Sequence, residues 1–116
     1  MKKIDIVRSY WKSEGEKDLS EILSHFDEHA KFSSPTMQLV GKNNIKTFYE
    51  GMVNGFKKIE VTPTHWVEQN DEIAVEYDVI LVRNSGEERF AKGFNLFEIK
   101  EGVISSLRCY FNPADF

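Results

Sequence analysis

Phe94-Asn95-Leu96-Phe97-Glu98-Ile99, then Lys100-Glu101-Gly102, then Val103-Ile104-Ser105-Ser106-Leu107-Arg108-Cys109-Tyr110-Phe111 is the stretch that decides the fold. Two alternating apolar runs around a short turn containing glycine predict a β-hairpin, because glycine takes the positive φ that a tight reversal needs. Working backward, Asn84-Ser85-Gly86 is a turn. Before it Ile73, Val75, Tyr77, Val79 and Leu81 alternate along one face of a long strand, with Glu76 and Asp78 on the other. Ile59 to Glu68 is a further strand, turned by Gln69-Asn70-Asp71 and interrupted by Pro63, which belongs at an edge or a bulge.

Upstream of Ile59 the apolar period becomes helical. Ile4, Val7 and Trp11, with Ile6 and Tyr10 beside them, predict a first helix that Ser13-Glu14-Gly15-Glu16 ends. Asp18 and Glu21 have the spacing of a capping box before a second helix striped by Leu19, Ile22, Leu23 and Phe26. Ala30 to Ser33 reads as a brief strand stopped at Ser34-Pro35, and Met37 to Gly41 as a loop. Asn43 or Asn44 would cap a third helix carrying Ile45, Phe48, Tyr49, Met52 and Phe56. Three helices followed by long antiparallel strands give an α+β fold, a single domain over 1–116 with a curled antiparallel sheet packed on the helices. A sheet curled in this way encloses a pocket.

Composition narrows the function. The 116 residues fit one core, and 13% aromatic residues, nine of them Phe, suit a lined cavity. A formal charge of −4 without clustered Lys or Arg excludes a nucleic-acid or anionic-membrane surface as the expected partner. No apolar run spans a bilayer, and Ile4-Asp5-Ile6-Val7-Arg8 breaks any signal-peptide pattern after Lys2-Lys3. The single Cys109 allows no intrachain disulfide, so a cytoplasmic setting is expected.

The order of motifs is similar to that of the nuclear transport factor 2-like superfamily, in particular its SnoaL-like and steroid delta-isomerase-like members. The residues that carry the resemblance are Tyr10-Trp11, Asp18-Leu19, Phe32-Ser33-Ser34-Pro35, Gly41 with Ile45 and Phe48-Tyr49, Phe97-x-Ile99-x-x-Gly102-x-Ile104, and Arg108-x-Tyr110-Phe111-Asn112. In the isomerases a carboxylate removes a proton beside a ketone while a Tyr and a protonated Asp hold the enolate oxygen. The resemblance implies that Tyr10 takes the place of that Tyr, Tyr49 that of a helix-three Tyr bonded to it, Asn95 that of the protonated Asp, and Ser34 that of the base. Asn keeps a hydrogen-bond donor at the oxygen. Serine is far too weak a base for a carbon-bound proton.

The implied pocket is walled by Trp11, Phe26, Phe48, Met52, Phe56, Val75, Tyr77, Phe97, Leu107, Cys109 and Phe111, with Ser34 at its edge. Its partner would be a small oxygenated hydrophobic molecule. The candidate catalytic groups are Tyr10, Tyr49, Asn95 and His65, the last as replacement base if the bulge near Pro63 turns it inward. Each has a plainer alternative: two phenols at the core's edge, an amide stitching a bulge, a solvated imidazole. Trp66 suits either the pocket wall or a dimer interface. Arg108 is placed to pair with Glu76 or Asp78. His25 and His29 straddle a helix end and form no ligand pair, so neither a metal nor a cofactor is expected. Two function classes follow: an isomerase, cyclase or dehydratase, or a non-catalytic binding module. A homodimer through the sheet face is expected from the resemblance, and a filled core used only for interaction is the third class.

Overall fold

The computed structural model describes residues 1–115. Helix α1 (Lys3–Gly15) and the short α2 (Leu19–Ser24) lead into β1 (Phe26–Ser34) and β2 (Met37–Val40). Helix α3 (Lys42–Gly55) follows, and then β3 (Phe56–Gln69), β4 (Glu72–Arg83), β5 (Glu88–Lys100), β6 (Val103–Phe111) and a closing 3-10 turn, Pro113–Asp115. The six strands form one open sheet in the order β2-β1-β6-β5-β4-β3.

The deciding hairpin is present: β5 and β6 pair antiparallel, and the turn residues Glu101 and Gly102 both have positive φ, 53° and 79°. That is the combination which matches the right-handed twist of the strands. Ile73, Val75, Tyr77, Val79 and Leu81 are all buried, as their alternation requires, and Glu76 is exposed. Each such side chain contributes on the order of 1.5–3 kcal/mol when taken from water. Pro63 lies both on an edge strand and at a bulge, with register shifting between Pro63 and His65, so its missing N–H costs the ladder nothing.

Several expectations are corrected. The sheet is mixed, because β1 pairs parallel with β6, Phe32 opposite Leu107. Local alternation reports a strand's faces but not the direction of a neighbour distant in the chain. Phe26 opens β1 and does not continue α2, which ends at Ser24; Phe26 is 2% exposed among the core aromatics. Met37 to Val40 is an edge strand pairing with β1, and Ser34-Pro35-Thr36-Met37 is its turn. The N-cap of α3 is Gly41, with φ of 91°, while Asn44 Nδ2 donates to the Val40 carbonyl. Phe56 begins β3.

Asp18 caps α2 as read, accepting from the Glu21 amide at 3.1 Å, but the Asp18 N–H goes to the Ser13 carbonyl and the box is not reciprocal. Arg108 pairs with Glu72 at 3.3 Å, since Asp78 is taken by Lys92 at 2.8 Å. No helix among the described residues is long and apolar enough to cross a membrane.

Candidate functional site

Helix α1 supplies the floor of the site. Val7, Tyr10, Trp11 and Glu14 stand at i, i+3, i+4 and i+7, so one inward stripe carries three apolar or aromatic groups and then a carboxylate. Glu14 is 6% exposed. Opposite it α3 presents Tyr49, 1% exposed, one turn beyond Ile45. The Tyr10 and Tyr49 hydroxyls are hydrogen-bonded to each other, and the Tyr49 hydroxyl donates to Glu14 Oε2 at 3.4 Å. The Tyr10 ring is fixed edge-on by Phe26, Tyr49 and Phe97, with centroids 5.5 to 6.3 Å away. Aromatic edges against faces hold a ring in one orientation, so the hydroxyl is aimed before any ligand arrives.

Between these helices and the sheet lies a cavity of about 300 Å³, walled almost wholly by apolar side chains. Of the residues expected there, Trp11, Ser34, Phe48, Met52, Phe56, Tyr77, Cys109 and Phe111 face it, together with Tyr10, Tyr49 and Asn95. Phe26, Val75, Phe97 and Leu107 do not. They are at most 2% exposed, and Phe97 and Leu107 form a cross-strand row with Ile73 that α1 closes through the rings of Tyr10 and Trp11. The open space lies further along the strands, toward Val79 and Leu81 and beside Phe32, Met37 and Val61.

Asn95 projects from β5 into the cavity at 5% exposure, and its Oδ1 has no hydrogen-bond partner. Its Oδ1 therefore stitches no bulge or neighbouring strand among the described residues, and a buried amide oxygen left unpaired costs roughly 1–3 kcal/mol. Ser34 is half-buried on the cavity rim, where its hydroxyl accepts from the Thr36 amide at 3.3 Å and contacts the Thr36 hydroxyl. It closes a turn and has no base beside it.

His65 lies on the opposite, outward face. After the bulge it pairs with exposed Glu76 and borders a shallow outer groove with Val67 and Lys92, so it cannot act as base in the cavity. Trp66 points toward the helices but is covered by Arg8, whose guanidinium stacks on its ring at 4.9 Å. His25 is not simply solvated: Nε2 meets Ser9 Oγ at 2.8 Å and Nδ1 the Glu21 carbonyl at 2.6 Å, which ties α2 to α1. Among the described residues no three His, Cys, Asp or Glu side chains gather as a metal ion would require.

Glu14 is the group that sequence reasoning missed. Burial pushes its carboxyl from the usual 4.5 up to about 7, with the neighbouring phenols of Tyr10 and Tyr49 favouring the charged form and pulling the other way. Burial also drives both phenols well above their usual range, and the neighbouring Glu14 carboxyl adds to the rise. Tyr77 and Cys109 are raised in the same manner, so the Cys109 thiol is no nucleophile. What remains is a carboxyl poised near neutrality and two neutral phenols in a mostly apolar chamber.

Comparison with solved structures agrees with this architecture. A putative isomerase from Bacillus subtilis is 19% identical, covers 96% of this chain and 86% of its own, and superposes with a TM-score of 0.87. A protein with a ketosteroid isomerase-like fold from Catenulispora acidiphila, in complex with trimethylamine, is 12% identical with a TM-score of 0.87, over 96% of this chain and 88% of its own. A putative polyketide cyclase from Xanthomonas campestris is 16% identical with a TM-score of 0.84, over 94% and 89%. At such identities the likeness is one of fold. No curated protein matches the chain. The SnoaL-like domain family matches residues 7–107, from within α1 to Leu107 of β6. With its helices, mixed sheet and sequence in agreement over most of the chain, the protein belongs to the SnoaL-like domain family.

Proposed function

We propose that the cavity receives a small, mostly apolar molecule bearing an oxygen function, and that Glu14 supplies or takes a proton at that oxygen through Tyr49 and Tyr10. Proton transfer at that oxygen is one of the steps an isomerase, cyclase or dehydratase requires. The observation that carries the reading is the Glu14 carboxyl, buried beside two phenols in an otherwise apolar chamber. Carboxylates are almost never fully buried without a partner or a task. Asn95 offers a second polar contact to the same guest: its unpartnered Oδ1 accepts from a guest hydroxyl, and its amide N–H is the group that would donate to a guest carbonyl.

A non-catalytic binding module is the second reading, favoured by Ser34, which stands at the family's base position and cannot take a proton from carbon. The outer sheet face carries exposed Val67, Phe90, Phe94 and Tyr110, with Phe94 and Tyr110 stacked at 4.8 Å, and this supports a homodimer through that face. The unpaired Cys109 supports a cytoplasmic setting.

The test compares the bicyclic probes 1-indanone and 1-indanol with the bare hydrocarbon indane. The oxygenated pair should bind about tenfold more tightly than indane, one charge-assisted or buried hydrogen bond's worth. Equal affinity for all three, or none for any, would remove the oxygen-binding corner. For turnover, the ligand carried through purification is identified by mass spectrometry and returned to the protein. The enzyme reading expects conversion that Glu14→Gln lowers at least a hundredfold with KM little moved; recovery of the ligand unchanged leaves the binding module.

A further inference from the structure

Three oxygen-bearing groups, Glu14, Tyr49 and Tyr10, share two internal contacts: Glu14 with Tyr49, and Tyr49 with Tyr10. Each contact consumes one hydrogen. With the carboxyl ionised the cluster holds two hydrogens, the phenolic ones, and both are spent internally. From these three groups the cavity then meets only lone pairs. When the carboxyl carries a proton the cluster holds three hydrogens, two are spent, and one is left to point at the guest. A single proton, exchanged with solvent, therefore reverses the hydrogen-bonding sense of the whole corner.

We propose that the protonation state of Glu14 selects the ligand class: a carbonyl or other pure acceptor when the carboxyl is protonated, and a hydroxyl, enol or phenol, which can donate, when it is ionised. This rests on the cavity taking an oxygenated guest at all, as argued above. A tautomerising or dehydrating site gains from such a corner, because it holds the ketone and the enol or alcohol of one carbon skeleton with opposite proton demands. Release of one form is then coupled to reloading of the other.

The groups facing the cluster do not interfere with the count. Across the cavity stand Tyr77 of β4 and Cys109 of β6, both held neutral by burial, and the uncharged amide of Asn95 on β5; the hydrogens these three carry are the same at every pH, so only the Glu14 proton changes the corner. His25 of α2 touches the Tyr10 ring at 6.2 Å between centroids, and its nitrogens are occupied by Ser9 and the Glu21 carbonyl. Lys17, beyond the end of α1, gives its ammonium to the Phe56 carbonyl on β3.

The experiment measures the affinities of 1-indanone and 1-indanol, neither of which titrates in the range used, at pH 6 and pH 8. With the Glu14 carboxyl near 7, the donating fraction falls from about 0.9 to about 0.1 between those values. Indanone affinity should drop about tenfold and indanol affinity by less than about twofold. Calorimetry of the unaltered protein in two buffers of different ionisation heat, near pH 7.5, should show proton uptake on binding indanone and none on binding indanol. Glu14→Gln, which keeps its donor at every pH, should bind indanone equally at both.

The proposal is overturned if both probes bind and their pH dependences coincide, or if the indanone dependence persists in Glu14→Gln, which would assign it to a group other than Glu14. Should the variant not fold, the calorimetry of the unaltered protein decides alone. Binding of neither probe at either pH is a different result: it sinks the oxygenated-guest reading of the cavity, and this inference with it.

Discussion

Glu14 stores a conflict between folding and use. Its carboxyl is raised in the folded chain from 4.5 to about 7, so between those values the native state holds a proton that the unfolded chain has released. Stability linked to this group is fully present below pH 4.5, falls as pH rises, and is lost once pH has passed about 7. The shift corresponds to about 3 kcal/mol. Urea unfolding from pH 4.5 to pH 8 should therefore show the unaltered protein losing about 3 kcal/mol more than Glu14→Gln; parallel curves would mean that the carboxyl is not buried in solution. Tyr10 and Tyr49 became candidates through the resemblance, since as members of helical stripes they read equally as core, whereas Asn95 also stood out as an amide on the strand face of Phe97 and Ile99. Glu14 did not. A charge next to Gly15 reads as the end of a helix, although its place seven residues after Val7 put it on the inward face.

At the scale of elements, β4 and β5 shape the cavity through one missing side chain. Gly93 lies directly opposite Tyr77, and a β-carbon there would stand 2.7 Å from the Tyr77 hydroxyl and 2.8 Å from the Tyr110 carbonyl. The phenol lies in the room that glycine leaves, and its ring packs against Trp11 at 5.5 Å. Gly93→Ala should destabilise the fold by about 1–3 kcal/mol, with a lower melting temperature, because the carbonyl is backbone and cannot move aside; an unchanged melting temperature would contradict this placement. The strands of the meander were readable from alternation alone. The outward turn of His65 was not, because Pro63 announces a bulge without saying which residue is the extra one, and a shift of one residue exchanges the two faces.

For the whole molecule, the helices cover one face of the sheet and leave Val67, Phe90, Phe94 and Tyr110 on the other. If that face joins two copies, Phe94→Glu should convert a dimer to a monomer in sedimentation experiments at micromolar concentration, with the melting of the monomer little changed; an unaltered protein that already sediments as a monomer would refute the dimer. The layer arrangement was legible from three helical stripes followed by four strands. The neighbour of β1 was not, since nothing local in Phe26 to Ser34 names a partner as distant as Leu107. That parallel seam also fixes a sequence in time. On the ribosome β1 emerges early and finds only β2 to pair with, and its other flank stays bare until Val103 to Phe111 has left the exit tunnel. Closure of the sheet then waits on the latest-made strand, a slow and long-range step during which nascent chains are open to chaperones and to one another.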